Sequence, residues 1–289
     1  MPPPPLFDST AAFVARRGDV AFWRSHVVAV LARHGYDTRP LLHAGTGATF
    51  PTFLCGDVVV KIFGFWPRWR ASLRAEDAAH AALAQDDAIR APRILATGAL
   101  DADGPAPWPY RVTTRMAGVP WARAGLGAGE RPAVARALGE QLARLRRLPP
   151  DGLATPDDWS DLDLQATLAR SSLPRRLLGE VDGFLAAIGQ GERAVVHGDL
   201  TGRHVFVANG RLEGVIDWGD AIVTDPHYEL AKLHLDLFEG DRALLAAFLE
   251  GAGWPIGDDF ARRALATALR RQAHGCAQHD RMDVFHKLP

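Results

Sequence analysis

Val196-His197-Gly198-Asp199-Leu200-Thr201-Gly202-Arg203-His204-Val205-Phe206-Val207 decides how this chain is read. An apolar, β-branched run enters a polar loop holding two glycines, and the loop returns into a second apolar run. That pattern predicts strand, loop, strand, with His197, Asp199 and His204 carried on the loop. Eighteen residues past Asp199 stands Asp217, in Val215-Ile216-Asp217-Trp218-Gly219-Asp220, and Asn209-Gly210 between them marks a tight hairpin. Two acids at the ends of adjacent strands can face one cleft. Phosphoryl transfer uses such a pair: one carboxylate orients and deprotonates a hydroxyl, the other holds Mg²⁺ on nucleotide phosphates. A lone His-Gly-Asp tripeptide proves little, because aspartates also cap turns. The ordered pair with a hairpin between them carries the argument.

Working towards the N-terminus, Tyr110 to Met116 is a strand candidate that runs into Ala117-Gly118. Thr52–Cys55 and Val58–Phe63 flank Gly56-Asp57 and read as a hairpin. A helix is expected from Arg68 to Ala84, and another over 19–34 with Val20, Trp23, Val27, Val30 and Leu31 on one face. Lys61 lies inside the apolar run, where an unpaired ammonium would be costly. Either it meets a partner, with Glu76 fifteen residues on, or it sits on an edge strand facing water. The loop Ala44-Gly45-Thr46-Gly47-Ala48-Thr49 precedes the hairpin; it could fold over phosphates or be a plain turn. Pro2–Pro5 reads as a frayed end.

Towards the C-terminus, Val134, Leu138, Leu142, Leu145 and Leu148 form one helical stripe. Short strands are expected at Ala194–Val196, Val205–Val207 and Leu212–Ile216. Asp241 and Asp258 read as helix N-caps and Gly251 as a helix stop. Leu230, Leu233 and Leu237 share one face and read as core.

The 289 residues are 47% hydrophobic, which suits one large domain or two lobes. Lys+Arg number 33 against Asp+Glu 34, so overall charge gives no reason to expect nucleic acid or an anionic membrane as partner. Cys55 and Cys276 are too few for a disulfide framework and lack zinc-site spacing. The N-terminus lacks signal-peptide character, and no apolar run approaches the roughly 20 residues of a membrane span. A soluble cytoplasmic protein is the expectation. The sequence carries no sign of an oligomeric state.

HGDLTGRHVFV followed by GVIDWGDA resembles the catalytic loop and metal-binding segment of the aminoglycoside phosphotransferase and choline kinase superfamily. VVVKIFG, PWPYRVTTRMAG and YELAKLHLDLFEGDRALLAAFLEGAGW look most like hygromycin B phosphotransferases acting at the 7″ hydroxyl. The resemblance covers roughly residues 40–255. It implies an α+β, bilobal protein-kinase-like fold. Residues 1–116 would form an antiparallel-sheet nucleotide-binding lobe with one main helix. Residues 117–289 would form a mostly helical lobe with the catalytic loop and acceptor site.

It further implies that Asp199 is the catalytic base, supported by His197, and that Asp217 binds Mg²⁺. Lys61, held by Glu76, would grip the phosphates of ATP under the loop of Gly45, Gly47 and Thr49. Backbone groups of Thr114 and Met116 would bond adenine. The family places Asn, a second Mg²⁺ ligand, where this chain has His204. Imidazole matches hard Mg²⁺ less well, so His204 either ligates metal, with Mn²⁺ possible, or hydrogen-bonds the loop backbone. The segment around Glu229 reads as support for that loop. A cationic acceptor calls for carboxylates; the densest cluster is Asp157, Asp158, Asp161 and Asp163 around Trp159, with Asp236, Glu239, Asp280 and Asp283 as further candidates. Two alternatives stay open: a kinase of an amino alcohol, sugar or other metabolite, and a degenerate kinase fold that binds nucleotide without turnover.

Overall fold

Ser9 accepts a hydrogen bond from the Ala12 N–H and Asp19 one from the Phe22 N–H. These caps start α1 (Thr10–Arg16) and α2 (Val20–Arg33) with otherwise orphan donors satisfied. The structure, a computed structural model, describes residues 1–45, 47, 49–155, 163–189 and 191–278. As expected, α2 buries Trp23, Val27, Val30 and Leu31. Segment 2–5 is tied down rather than frayed: His26 Nε2 lies 2.9 Å from the Pro3 carbonyl, and Phe7 packs edge-on against Phe13 and Phe65.

The face of α2 covers an antiparallel five-stranded sheet of order β1-β2-β3-β5-β4. Its strands are β1 (Leu42–Ala44), β2 (Thr52–Cys55), β3 (Val58–Ile62), β4 (Ile94–Leu100) and β5 (Trp108–Thr114). The Gly56-Asp57 turn joins β2 to β3 as predicted. Because β3 pairs with both β2 and β5, Lys61 is on an interior strand, not an edge. The long helix α3 (Trp69–Leu83) turns Glu76, Ala79, Ala82 and Leu83 inward. The last three join the apolar core of the C-terminal half, beside Leu138, Leu142 and Leu200.

Gly118 has φ +79°, and a Cβ there would lie 2.2 Å from the Val207 carbonyl oxygen, so only glycine lets the chain pass. Helix α4 (Glu130–Leu145) buries the predicted stripe of Val134, Leu138, Leu142 and Leu145. Strand β6 (Val119–Pro120) pairs with β8 (Val205–Ala208), which pairs with β9 (Arg211–Val215). A separate pair joins β7 (Ala194–Val196) to β10 (Ile222–Thr224). Between α4 and β7 lie the short helices α5 (Leu164–Leu168), α6 (Arg175–Leu178) and α7 (Val181–Ile188).

Helix α8 (Tyr228–Lys232) runs into a π-helical turn at Leu233–Leu237; Leu230, Leu233 and Leu237 are buried as expected. Asp241 caps α9 (Arg242–Gly251) by accepting from the Ala243 and Leu244 N–H groups. Helix α10 (Phe260–Gln278) begins one residue later than the Asp258 cap implied, with the Asp259 carbonyl accepting from Arg263. It packs on α5 and α7 through Ala266, Leu269 and Ala273. Among the described residues no helix is long and apolar enough to cross a membrane.

Candidate active site

Lys61 finds two partners. Its Nζ donates to Glu76 Oε2 at 2.6 Å and to Asp217 Oδ1 at 2.8 Å. Burial alone would push the amine down, but Asp217 and then Glu76 outweigh it and hold Lys61 above its ordinary range. The group is an ammonium. Asp217 mirrors it: burial would raise its carboxyl, and Lys61 followed by His204 pull it well below the usual carboxylate range. Asp217 itself has φ 66°, the left-handed region, which turns its side chain out of the line of β9.

The loop after β7 is fixed from beneath. His197 is fully buried. Its Nδ1 accepts from the Asp199 N–H at 3.1 Å, so Nε2 carries the proton and donates to the Ile216 carbonyl at 2.9 Å. Burial, followed by neighbouring His204, lowers this imidazole to about 4, and it stays neutral. Gly198, at φ +83°, leaves a Cβ position only 2.1 Å from the Asp220 carbonyl oxygen, which forbids a side chain. The Gly198 N–H donates to Glu229 Oε1 at 2.6 Å, and its carbonyl accepts from Arg271 Nη2 at 2.5 Å. Glu229 is 2% exposed, and burial pushes its carboxyl up to about 7 against the lowering effect of the Gly198 N–H.

Asp199 therefore sits on a rigid turn. Its Oδ1 lies 3.2 Å from Lys232 Nζ and 3.8 Å from Arg271 Nη2; its Oδ2 lies 3.6 Å from His204 Nδ1. Burial would raise this carboxyl, but Lys232, His204 and Arg271 together bring it below its usual value.

His204 makes the loop-backbone hydrogen bond that was one of its two expected roles. Nδ1 lies 2.7 Å from the Asp199 carbonyl, and since a carbonyl only accepts, Nδ1 donates. Nε2 lies 3.7 Å from Asp217 Oδ2, the carboxylate oxygen not used by Lys61. One carboxylate oxygen and one imidazole nitrogen facing each other fit a divalent cation held chiefly by phosphate oxygens. The acids do not end neighbouring strands, as the sequence suggested. β7 and β9 belong to different sheets, and the Ile216 N–H bonded to the His204 carbonyl at 2.9 Å brings the two segments together.

Gly45, Gly47, Thr49, Lys61, Glu76, Thr114, Met116 and Asp217 all line one cleft of about 320 Å³. Leu54, Val59, Phe206 and Ile216 add apolar walls of the kind a planar base needs. The Thr114 N–H donates to the Arg93 carbonyl at 2.9 Å, so this N–H is already engaged. Asp163 is not in this cleft; its Oδ1 accepts from the Ala166 N–H and caps α5. Asp157, Asp158, Trp159, Asp161, Asp280 and Asp283 lie outside the described residues. Asp236 and Glu239 line a second groove with Trp121, Arg131, Gly202 and Arg203, next to the catalytic loop.

Lys232 and Arg271 were missed in the sequence. No motif marks them, and helical spacing relates Lys232 only to Asp236, 3.7 Å away, not to Asp199. Tertiary packing alone brings them in.

The same architecture occurs in solved structures of phosphotransferases. The GDP complex of wild-type aminoglycoside 2'-phosphotransferase-IIIa superposes with a TM-score of 0.67 at 17% identity, over 88% of this chain and 89% of that one. Macrolide 2'-phosphotransferase MphH from Brachybacterium faecium gives 0.64 at 20% identity, over 89% and 93%. Aminoglycoside phosphotransferase APH(3'')-Id from Streptomyces rimosus gives 0.57 at 21%, over 88% and 98%. The fold is thus that of a protein-kinase-like small-molecule phosphotransferase, with a sheet-rich N-terminal lobe. Residues 42–266 match the model of APH, the phosphotransferase enzyme family, and the chain belongs to that family.

Proposed function

We propose that this protein transfers the γ-phosphoryl group of ATP to a hydroxyl of a cationic small molecule, an aminoglycoside, with hygromycin B the first acceptor to test. The observation that carries this reading is the Lys61 ammonium held between Glu76 and Asp217 at 2.6 and 2.8 Å, on the floor of the cleft. A buried ammonium paired with two carboxylates inside a cleft has no better explanation in packing alone.

In this reading residues 1–116 bind the nucleotide and 117–289 carry the catalytic loop and the acceptor. The Thr114 carbonyl and the Met116 backbone meet the edge of adenine. Gly45, Gly47 and Thr49 cover the phosphates, and Lys61 binds them. Asp217 and His204 would hold Mg²⁺ or Mn²⁺, which supplies charge neutralisation on the phosphate oxygens. Asp199 orients the acceptor hydroxyl and takes its proton. The acceptor oxygen forms its bond to the γ-phosphorus as the bond to the bridging oxygen breaks, and the electron pair leaves with ADP. Asp236 and Glu239, on the groove beside the loop, are the described acids available to acceptor ammonium groups. Reliance on ATP suits a cytoplasmic enzyme.

The test is ADP release with hygromycin B, kanamycin, streptomycin, a macrolide, amino alcohols and sugars. One acceptor should raise the rate well above the acceptor-free baseline, and Asp199→Asn should reduce it by about a hundredfold or more. ATP binding by calorimetry with no phosphorylated product from any acceptor would favour a nucleotide-binding protein without turnover.

A further inference from the structure

Lys232 has no part in the reaction described above, yet it touches the carboxylate at its centre. Its Nζ lies 3.2 Å from Asp199 Oδ1 and 3.7 Å from Asp236 Oδ2, and its side chain is only 14% exposed. Holding a long, flexible side chain in such a place costs conformational entropy, so something must favour it.

The catalytic loop is fixed without it. Arg271, 8% exposed, grips the Gly198 carbonyl at 2.5 Å, packs 4.5 Å over the Tyr228 ring, and places Nη2 3.8 Å from the same Oδ1. The loop thus already has a buried cation fixing it. Lys232 is a second cation on the same oxygen, delivered from the end of a different helix, α8, beside the groove that Asp236 lines.

An acceptor hydroxyl that gives its proton to Asp199 must lie within hydrogen-bond reach of that carboxylate. It therefore lies next to the Lys232 ammonium. The phosphoryl group it attacks arrives at the same point, with negative charge spread over its outer oxygens. Lys61 reaches the site from the five-stranded sheet, paired with Asp217.

We propose that Lys232 is a further catalytic residue: its ammonium contacts the phosphoryl group in flight on the acceptor side. The inference rests on the phosphotransferase role of Asp199. Lys232 carries no proton across and forms no bond. It offsets charge that appears on the phosphoryl oxygens as the bond to the acceptor forms and the bond to ADP breaks. Such a contact is stronger in the transition state than with bound ADP, and this gives the test.

ADP with Mg²⁺ and aluminium fluoride, which mimics the transferring phosphoryl group, should bind the wild-type protein more tightly than ADP with Mg²⁺ alone. Lys232→Met should lose about a hundredfold of the affinity for the fluoride complex while its affinity for ADP and Mg²⁺ changes by less than about threefold. Lys232→Arg should recover part of the loss. With an acceptor in hand, kcat should fall in Lys232→Met with the KM for ATP nearly unchanged. A Lys232→Met protein that binds ADP normally and the fluoride complex as tightly as wild type overturns the inference while leaving the phosphotransferase reading intact. A wild-type protein in which fluoride adds nothing to ADP affinity sinks both.

Discussion

His197 and Glu229 grip the loop at 197–199 from different sides, and their titrations run in opposite senses. His197 is neutral in the fold, lowered from 6.5 to about 4, mainly by burial, so the stability it contributes is present above pH 6.5 and is lost as pH falls through 4. Glu229 is raised from 4.5 to about 7, again mainly by burial, so its contribution is present below pH 4.5 and lost as pH rises through 7. Between these limits the two slopes oppose each other. Glu229→Gln keeps an acceptor for the Gly198 N–H and removes one titration. The variant should therefore lose stability faster than wild type on acidification from pH 6.5 to 4.5. At pH 8 it should be the more stable of the two, by up to roughly 3 kcal/mol. Denaturant unfolding across this range measures both; superimposable stability curves would contradict the assignment. At this scale the sequence was most legible where chemistry and spacing coincide. Lys61 meets Glu76 as the spacing allowed, and Asp199 and Asp217 come together, though not at the ends of neighbouring strands. Lys232 and Arg271 were invisible because nothing local relates residues 33 and 72 positions downstream to Asp199.

Elements with a strong period or a clear apolar run were read correctly, including the three-residue β7, while α1, β1 and β4 were not. The α2 and α4 stripes, the β2–β3 hairpin and the β8–β9 hairpin all show in the sequence because apolar residues recur at the spacing their backbone imposes. Helix α1, seven residues long, gives too few turns to show a period. Strand β1 has three residues, and β4 is built largely from small ones, Ala96, Thr97, Gly98 and Ala99, which give no alternation. Gly251 does fall at the end of α9, but its larger role is in packing. A Cβ there would lie 2.1 Å from the Arg136 carbonyl oxygen, and one at Gly139 would lie 2.2 Å from the Phe248 carbonyl oxygen. The two glycines let α4 and α9 cross with backbones nearly in contact. Gly139→Ala or Gly251→Ala should push the helices apart and destabilise the protein by about 1–3 kcal/mol, read as a drop in Tm. Because neither residue lines the cleft, nucleotide affinity at low temperature should hold. A variant with wild-type Tm would show that the crossing tolerates the added methyl group.

Among the described residues, most apolar burial lies in one core under the five-stranded sheet and a larger one in the C-terminal half, with a smaller cluster between α10, α5 and α7. Helix α3 comes early in the chain, yet Ala79, Ala82 and Leu83 pack into the later core while Glu76 reaches back to Lys61 on the sheet. A boundary drawn from chain order at residues 116–118 cannot show this, since packing ignores order. The contact from Lys61 to Asp217 joins the same two regions. It also means that in an empty cleft Asp217 already has a counterion. When phosphates draw the ammonium away, the carboxylate left behind loses its counterion, and a divalent cation restores one. Each ligand should therefore strengthen the other by the same factor, as thermodynamic linkage requires. Titrating ADP with and without Mg²⁺, and Mg²⁺ with and without ADP, should return one reciprocal factor of about tenfold or more. Asp217→Asn should shrink that factor towards one, making the two bindings independent.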